Sequence, residues 1–332
     1  MPQNLPVVKA DLSGKTVVIV GSNTGIGFEA AKHFARMNPA RVICTCRSQE
    51  KAETTISEIA RETGYTKAEG WVLELSDFSS VIAFAERFEN ESVPLDILVC
   101  NAAIALPHFQ KTIDGWETVL QVNHLSLALL SLLLLPTLAR TAQTSSGLSR
   151  LVIVSSDTHA WTTFDKDRIP GSVLETLNDV SFFDAQAGKS YSDTKLLNVL
   201  FTRTLANHLS PTAHVLVDTV NPGFCLSDLR RNIEDRGQWD DFMAHARTSE
   251  EGSRQLIWAA LGPQGAGEKE PKELHGGYIS DNQLTLPSPW VRSEPGRRVQ
   301  EEVWMETLKA VSNAAPKVEN VVSEYIRASG YS

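Results

Sequence analysis

Thr16-Val-Val-Ile-Val-Gly-Ser-Asn-Thr-Gly-Ile-Gly27 decides the fold. Its first five residues are all β-branched, and so short a run of stiff side chains suits a buried strand. Glycines crowd the next positions, and an amphipathic pattern over 25–37 reads as a helix that starts among them. Strand, glycine turn and helix in this order open a βαβ unit. They place Gly21, Gly25 and Gly27 where a pyrophosphate can approach the backbone at a helix N-terminus.

Outward from this stretch the alternation recurs. Strands are predicted over 41–45, 71–75, 95–100, 151–154, 214–219 and 277–279, and helices over 49–62, 78–88, 115–140, 191–209 and 249–261. Strands regularly separated by helices imply an α/β protein: a single-domain, Rossmann-type, doubly wound parallel sheet with helices on both faces. That domain is expected over 12–280. The tail, helical in pattern over 298–325 and broken at Pro316, is expected to pack on it as an extension over 281–332. Two long irregular stretches, 157–190 and 223–248, leave the carboxyl ends of strands, where ligands bind in open α/β sheets, and are read as substrate lids.

A site for a free ribose 2′-hydroxyl ordinarily supplies Asp or Glu about 20 residues beyond the glycine turn. Here the second strand ends in Thr45-Cys46-Arg47-Ser48. A guanidinium beside a hydroxyl suits a 2′-phosphate, so the cofactor predicted is NADP(H), with Arg47 as its main determinant and Ser48 beside it.

Tyr191-Ser-Asp-Thr-Lys195 sets a phenol and an ammonium four apart, on one face of a helix. A phenol with an ordinary pKa of about 10 must be acidified to exchange protons near neutrality. One positive charge at ~4 Å, in an effective dielectric of ~20, favours the phenolate by about 4 kcal/mol, roughly three pKa units. The pair is therefore a candidate acid/base.

Together these stretches resemble the short-chain dehydrogenase/reductase family over residues 12–280, and within it the retinol-dehydrogenase-like and WW-domain-oxidoreductase-like members. The matching landmarks, in order, are Gly21 to Gly27, Leu73-Glu-Leu75, Asp96-Ile-Leu-Val-Cys-Asn-Ala-Ala103, Val122-Asn123, Val154-Ser-Ser156, Tyr191 to Lys195 and Asn221-Pro-Gly223. The resemblance implies a catalytic tetrad of Asn123, Ser156, Tyr191 and Lys195. Tyr191 would give a proton to the substrate carbonyl oxygen as hydride arrives from the nicotinamide, and Ser156 would hydrogen-bond the same oxygen. Lys195 would hold the nicotinamide ribose and lower the Tyr191 pKa, and Asn123 would fix a water linking Lys195 to solvent. The resemblance also implies cofactor contacts from Asn23, Thr24 and Ile26 in the glycine turn, and from Glu74 and Leu75 near the adenine. Further contacts are implied from Asn101, Ala102 and Ala103 on the adenosine side, and from Pro222, Gly223 and Ser227 beside the nicotinamide. Ala103 stands where Gly is usual, and Val20 where Thr is usual.

The two lids are rich in aromatic residues, of which Trp161, Phe164, Phe224 and Trp239 are the candidate substrate contacts of a roomy apolar pocket. A net charge of -9 argues against nucleic acid as a partner. Four cysteines and eight scattered histidines show no metal-ligand spacing, so no metal is expected. The apolar run over 125–135 is too short to span a bilayer, which takes about 20 residues, and no secretion signal is read at the start, so the location expected is cytoplasmic. These readings converge on an NADPH-dependent carbonyl reductase or alcohol dehydrogenase, monomeric or homodimeric. Its substrate would be a lipophilic ketone or aldehyde of secondary-metabolite, terpenoid or steroid type. Two alternatives keep the fold: non-redox chemistry such as dehydration, epimerisation or cyclisation, and a non-catalytic NADPH-sensing regulator, against which the intact Tyr191 and Lys195 weigh.

Overall fold

Eight strands make one sheet in a computed structural model that describes residues 5–145, 147–186, 188–230, 245–263 and 271–327. They are β1 (Thr16–Val20), β2 (Arg41–Cys46), β3 (Ala68–Val72), β4 (Ile97–Cys100), β5 (Ser149–Val154), β6 (Val215–Asn221), β7 (Tyr278–Ser280) and β8 (Gln283–Thr285). Their order across the sheet is β3-β2-β1-β4-β5-β6-β7-β8. The chain winds from the centre out to β3, then crosses to β4 on the other side of β1. The crevice of a doubly wound sheet opens at that reversal, beyond the carboxyl ends of β1 and β4.

Side chains of β1 feed two cores. Val18 and Val20 join one with the helices Phe78–Asn90, Ser126–Ser145 and Ser190–His208. Val17 and Ile19 join the other with Gly25–Ala35, Gln49–Thr63 and Ser249–Leu261. Burial on both faces is why β1 reads as an unbroken apolar run and not as an alternation. The stretch Thr118–Ser145 has the length and hydropathy of a bilayer span, but 94% of its most apolar window is buried in the protein.

The sheet differs from the expectation at its two edges. β3 starts three residues before the predicted 71–75, because pairing begins at Val42↔Ala68. Gly70 lets the edge strand lie close to the Gln49–Thr63 helix, where a Cβ would come 2.7 Å from that of Ala52. Leu73 and Leu75 are buried beyond the strand, and the Leu73 N–H still donates to the Cys46 carbonyl of β2 at 2.8 Å. At the other edge β8 pairs antiparallel with β7, whereas every other pairing is parallel. Asp281 and Asn282, with φ of 56° and 53°, make the two-residue turn between them, a geometry these two residue types tolerate.

The span over 157–190 is not irregular. It holds a 3-10 turn, Asp157–Trp161, and two short helices, Val173–Leu177 and Val180–Ala185. The long C-terminal helix Glu294–Ala314 secures it, since the Glu306 carboxylate accepts from the backbone N–H groups of Val173 and Leu174 at 3.1 and 2.8 Å. That helix also lies on Ser190–His208, with the Trp304 and Phe201 rings 5.6 Å apart.

Candidate active site

The glycine turn is shaped by what it touches. Gly21 and Gly25 have φ of 76° and 63°, in the left-handed region. A Cβ on Gly21 would stand 2.7 Å from that of Ala102, and one on Gly27 would stand 2.2 Å from the Gly21 carbonyl oxygen. Asn101 Nδ2 donates to the carbonyls of Val20 and Gly21 at 3.2 and 3.0 Å, tying the turn to the end of β4. The Gly21 N–H donates to Thr45 Oγ1 at 3.0 Å, tying it to β2. Thr24 stands at the N-cap of the Gly25–Ala35 helix without capping it; its hydroxyl donates instead to Asp228 Oδ2 at 2.6 Å. A cradle that any Cβ would fill, opening on a helix start that no side chain caps, fits a pyrophosphate. Gly27→Ala is expected to cost about 1–3 kcal/mol of stability, because backbone lies on the far side of the missing Cβ. Thermal unfolding checks this, and an unchanged midpoint would refute it.

Beyond the carboxyl ends of the strands lies a cleft of about 210 Å³. Gly21, Asn23, Thr24, Gly25 and Ile26 wall one part of it, and Arg47, Glu74 and Leu75 another. Asn101, Ala102 and Ala103 continue the wall to Tyr191, Lys195, Pro222 and Ser227. Gly27, Ser48, Asn123, Ser156 and Gly223 do not belong to this wall. Gly27 packs beneath the turn, and Ser48 caps the Gln49–Thr63 helix by accepting from the Lys51 N–H. The Glu74 carboxylate turns back to accept from the backbone and hydroxyl of Ser76, at 3.0 and 2.8 Å. Thr45, Cys46, Ser155 and Asp228 also line the cleft, and sequence reasoning did not place them there. Thr45 and Cys46 were signalled by their place at the end of β2; Asp228 reaches Thr24 across 204 residues, which no local pattern records.

Of the candidate substrate residues, the three that are described do not line the cleft. Trp161 and Phe224 are 63% and 37% exposed, outside its wall. Phe164 is corrected to a core residue: it is fully buried, edge-on to Trp290 with centroids 6.1 Å apart, as an aromatic that anchors a loop. Trp239 lies outside the described residues. Among those described, no group of three His, Cys, Asp or Glu side chains could hold a metal ion.

The four residues expected to form a tetrad come from three elements. Tyr191 and Lys195 stand on the Ser190–His208 helix, Ser156 just past β5, and Asn123 on a π-helical turn, Gln121–Leu125. Lys195 is 1% exposed, donates to the Val154 carbonyl at 3.0 Å, and lies 5.3 Å from the centre of the Tyr191 ring. Burial pushes its pKa down to about 7. Tyr191 moves the other way: burial raises its pKa and the Asp157 charge adds to that, while a hydrogen bond with Ser156 opposes both. Lys195 favours the phenolate only where it carries its charge, and its own burial disfavours that charge. The phenol keeps its proton, the form a proton donor needs.

Each neighbouring hydroxyl and amide has a definite place. Ser155 Oγ donates to the Lys195 carbonyl at 2.8 Å, joining β5 to the helix. Ser156 Oγ donates to Asp157 Oδ1 at 3.0 Å. Asn123 Oδ1 accepts from the Ile104 N–H at 2.8 Å, and its Nδ2 donates to the Ile104 carbonyl and to Thr194 Oγ1 at 2.9 and 3.1 Å. The Asn123 amide thus joins the segment after β4 to the helix of Tyr191 and Lys195.

Known proteins share this arrangement of sequence and fold. The family model for short chain dehydrogenases matches residues 15–164. A short chain dehydrogenase/reductase of Cryptosporiopsis sp., dmxR8, is 36% identical over 95% of this chain and 96% of its own. The WW domain-containing oxidoreductase of Homo sapiens is 35% identical over 87% of this chain and 66% of its own. Among solved structures, L-sorbose reductase from Gluconobacter frateurii, complexed with NADPH and L-sorbose, has a TM-score of 0.61 at 17% identity, covering 84% of this chain and 100% of that one. The NADPH-bound carbonyl reductase from chicken fatty liver has a TM-score of 0.58 at 20% identity, covering 83% of this chain and 95% of that one. With a full-length relative at 36% identity, the chain belongs to the short-chain dehydrogenase/reductase family.

Proposed function

We propose that the protein is an NADP(H)-dependent carbonyl reductase, and in reverse an alcohol dehydrogenase, acting on a lipophilic ketone or aldehyde of secondary-metabolite, terpenoid or steroid type. One observation carries this reading: Tyr191 shares its cleft with the glycine turn, Arg47 and Pro222. NADPH, when bound, supplies the hydride. The glycine turn and the start of the Gly25–Ala35 helix hold the pyrophosphate, and Arg47 meets the 2′-phosphate. Tyr191 donates its phenolic proton to the carbonyl oxygen while Ser156 hydrogen-bonds the same atom, so that C=O becomes CH–OH. Lys195 takes the nicotinamide ribose. The unit over 12–280, with β8 added at the edge of its sheet, does this work, and the described part of the extension, through Arg327, packs on it. Four free cysteines suit a reducing, cytoplasmic setting. The relatives' names favour hydride transfer over dehydration, epimerisation or cyclisation.

The test is an assay of the purified protein with NADPH and with NADH against bulky ketones and aldehydes, read by cofactor absorbance and product mass. NADPH consumption matched by alcohol supports the reading; a rearranged product with no net cofactor oxidation overturns it. Arg47→Ala is expected to weaken NADPH binding by about 10- to 100-fold, the worth of a charge-assisted contact to phosphate, and NADH binding by less than about threefold. Equal losses for the two cofactors would refute the assignment of Arg47.

A further inference from the structure

His159 has no place in the mechanism above, yet it is 3% exposed and sits in the first turn after Ser156. Both of its ring nitrogens are engaged. Nε2 lies 3.0 Å from the backbone nitrogen of Ser288, a group that can only donate, so Nε2 is the acceptor and bears no hydrogen. Nδ1 therefore carries the proton and donates to the Ser156 carbonyl at 2.7 Å. Burial lowers the pKa of the ring and keeps it neutral. The ring of Tyr278, on β7, covers it at 4.7 Å. One imidazole thus spans from the end of β5 to a segment 129 residues further along, where Ser288 opens the short helix Pro289–Arg292.

The anchored residue carries the hydroxyl that the proposed function assigns to the substrate oxygen, and that hydroxyl donates to Asp157 Oδ1 at 3.0 Å. Ser156 is extended and stands at the N-cap of its turn, and its Oγ accepts from the Thr158 N–H at 3.2 Å. A residue at a strand end swings about its own backbone unless its carbonyl is fixed, and the direction of its hydroxyl swings with it. Among the described residues, the Ser156 carbonyl has besides His159 Nδ1 only a long bond, 3.3 Å, from the His159 backbone N–H.

We propose that His159 is a positioning residue: strung between the Ser156 carbonyl and the Ser288 N–H, it fixes the Ser156 backbone and with it the direction of the Ser156 hydroxyl, and makes the segment after β8 part of the active-site scaffold. The proposal rests on Ser156 being the donor to the substrate oxygen. A cycle of Ser156→Ala, His159→Phe and the double variant tests it, with phenanthrenequinone as the carbonyl probe. Single-turnover NADPH oxidation and NADPH affinity are the readouts. His159→Phe keeps a ring against Tyr278 and loses both hydrogen bonds. It is expected to slow turnover about 10- to 100-fold with NADPH affinity within about threefold, and to cost less than about threefold more once Ser156→Ala is present. His159→Gln, which can donate and accept, should restore at least part of the rate, and it carries the cycle if the phenylalanine variant does not fold. An equal loss in both backgrounds, or no loss at all, overturns the proposal. Undiminished turnover in Ser156→Ala would instead bring down the reading of Ser156, and with it this one.

Discussion

Tyr191→Phe is expected to lose about 100- to 10,000-fold in turnover, the range ascribed to a positioned general acid, while NADPH affinity stays within about threefold. The substitution removes one oxygen from a ring whose place is set by the Ser190–His208 helix. Lys195, which keeps its hydrogen bond to Val154, remains where it was. The direction of the pKa shift adds a second expectation. Burial and the Asp157 charge both favour the protonated phenol, so reduction, which uses that form, should run without loss across the neutral range. Oxidation of the alcohol needs the phenolate, and its rate should climb as pH rises into the alkaline range. Steady-state rates in both directions over pH, for the wild type and for Tyr191→Phe, check both points. A phenylalanine variant that keeps more than about a tenth of the wild-type rate would show that another group donates the proton.

What could be read in advance follows how local the cause is. β1 and the glycine turn were legible because strand, turn and helix start are consecutive, and each is forced by residue type: five β-branched residues, then glycines where backbone and side chains crowd in. Tyr191 and Lys195 were legible because a helix fixes the distance between positions four apart. β8 was missed because three residues carry no period, though Asp281-Asn282 was a turn signal. Phe164 was misplaced because an aromatic in a loop carries the same letter whether it faces a ligand or the core. His124 shows the limit most clearly: its ring lies between Asn198 Oδ1 and Thr307 Oγ1, both at 3.1 Å, and the second partner is 183 residues away. Such contacts are products of the tertiary fold, and the sequence around either end says nothing of them.

Arg168→Met is expected to cost about 3–5 kcal/mol at neutral pH, although the ion pair it breaks is no source of net stability. Asp193 lies inside the Tyr191-to-Lys195 turn and is 1% exposed. Arg168 reaches it from the span over 157–190 with two parallel bonds, 2.7 Å to Oδ2 and 3.0 Å to Oδ1. The same guanidinium donates to the Thr163 carbonyl and Gln186 Oε1 and lies over the Phe182 ring, so one side chain knots that whole span to the helix of Tyr191 and Lys195. Burial raises the pKa of Asp193 even with Arg168 and Thr162 pulling it down, which means that desolvation exceeds the attraction. Without Arg168 the carboxylate keeps the burial and loses its counter-charge, so its pKa climbs further. The unfolded chain releases this proton near pH 3.9, while the folded variant holds it to a higher pH. Between those values the native state binds more protons, and its stability falls as pH rises. The deficit of Arg168→Met should therefore be largest at about pH 7 and shrink toward about pH 4.5. Adding Asp193→Leu should recover most of it, since no buried charge is then left alone. The single variant should also raise KM for the carbonyl substrate, because the span that Arg168 anchors loses its hold on the helix of Tyr191. Urea unfolding of the three proteins at both pH values decides the matter: a deficit of equal size at each would show that Arg168 acts through packing and not through the Asp193 charge.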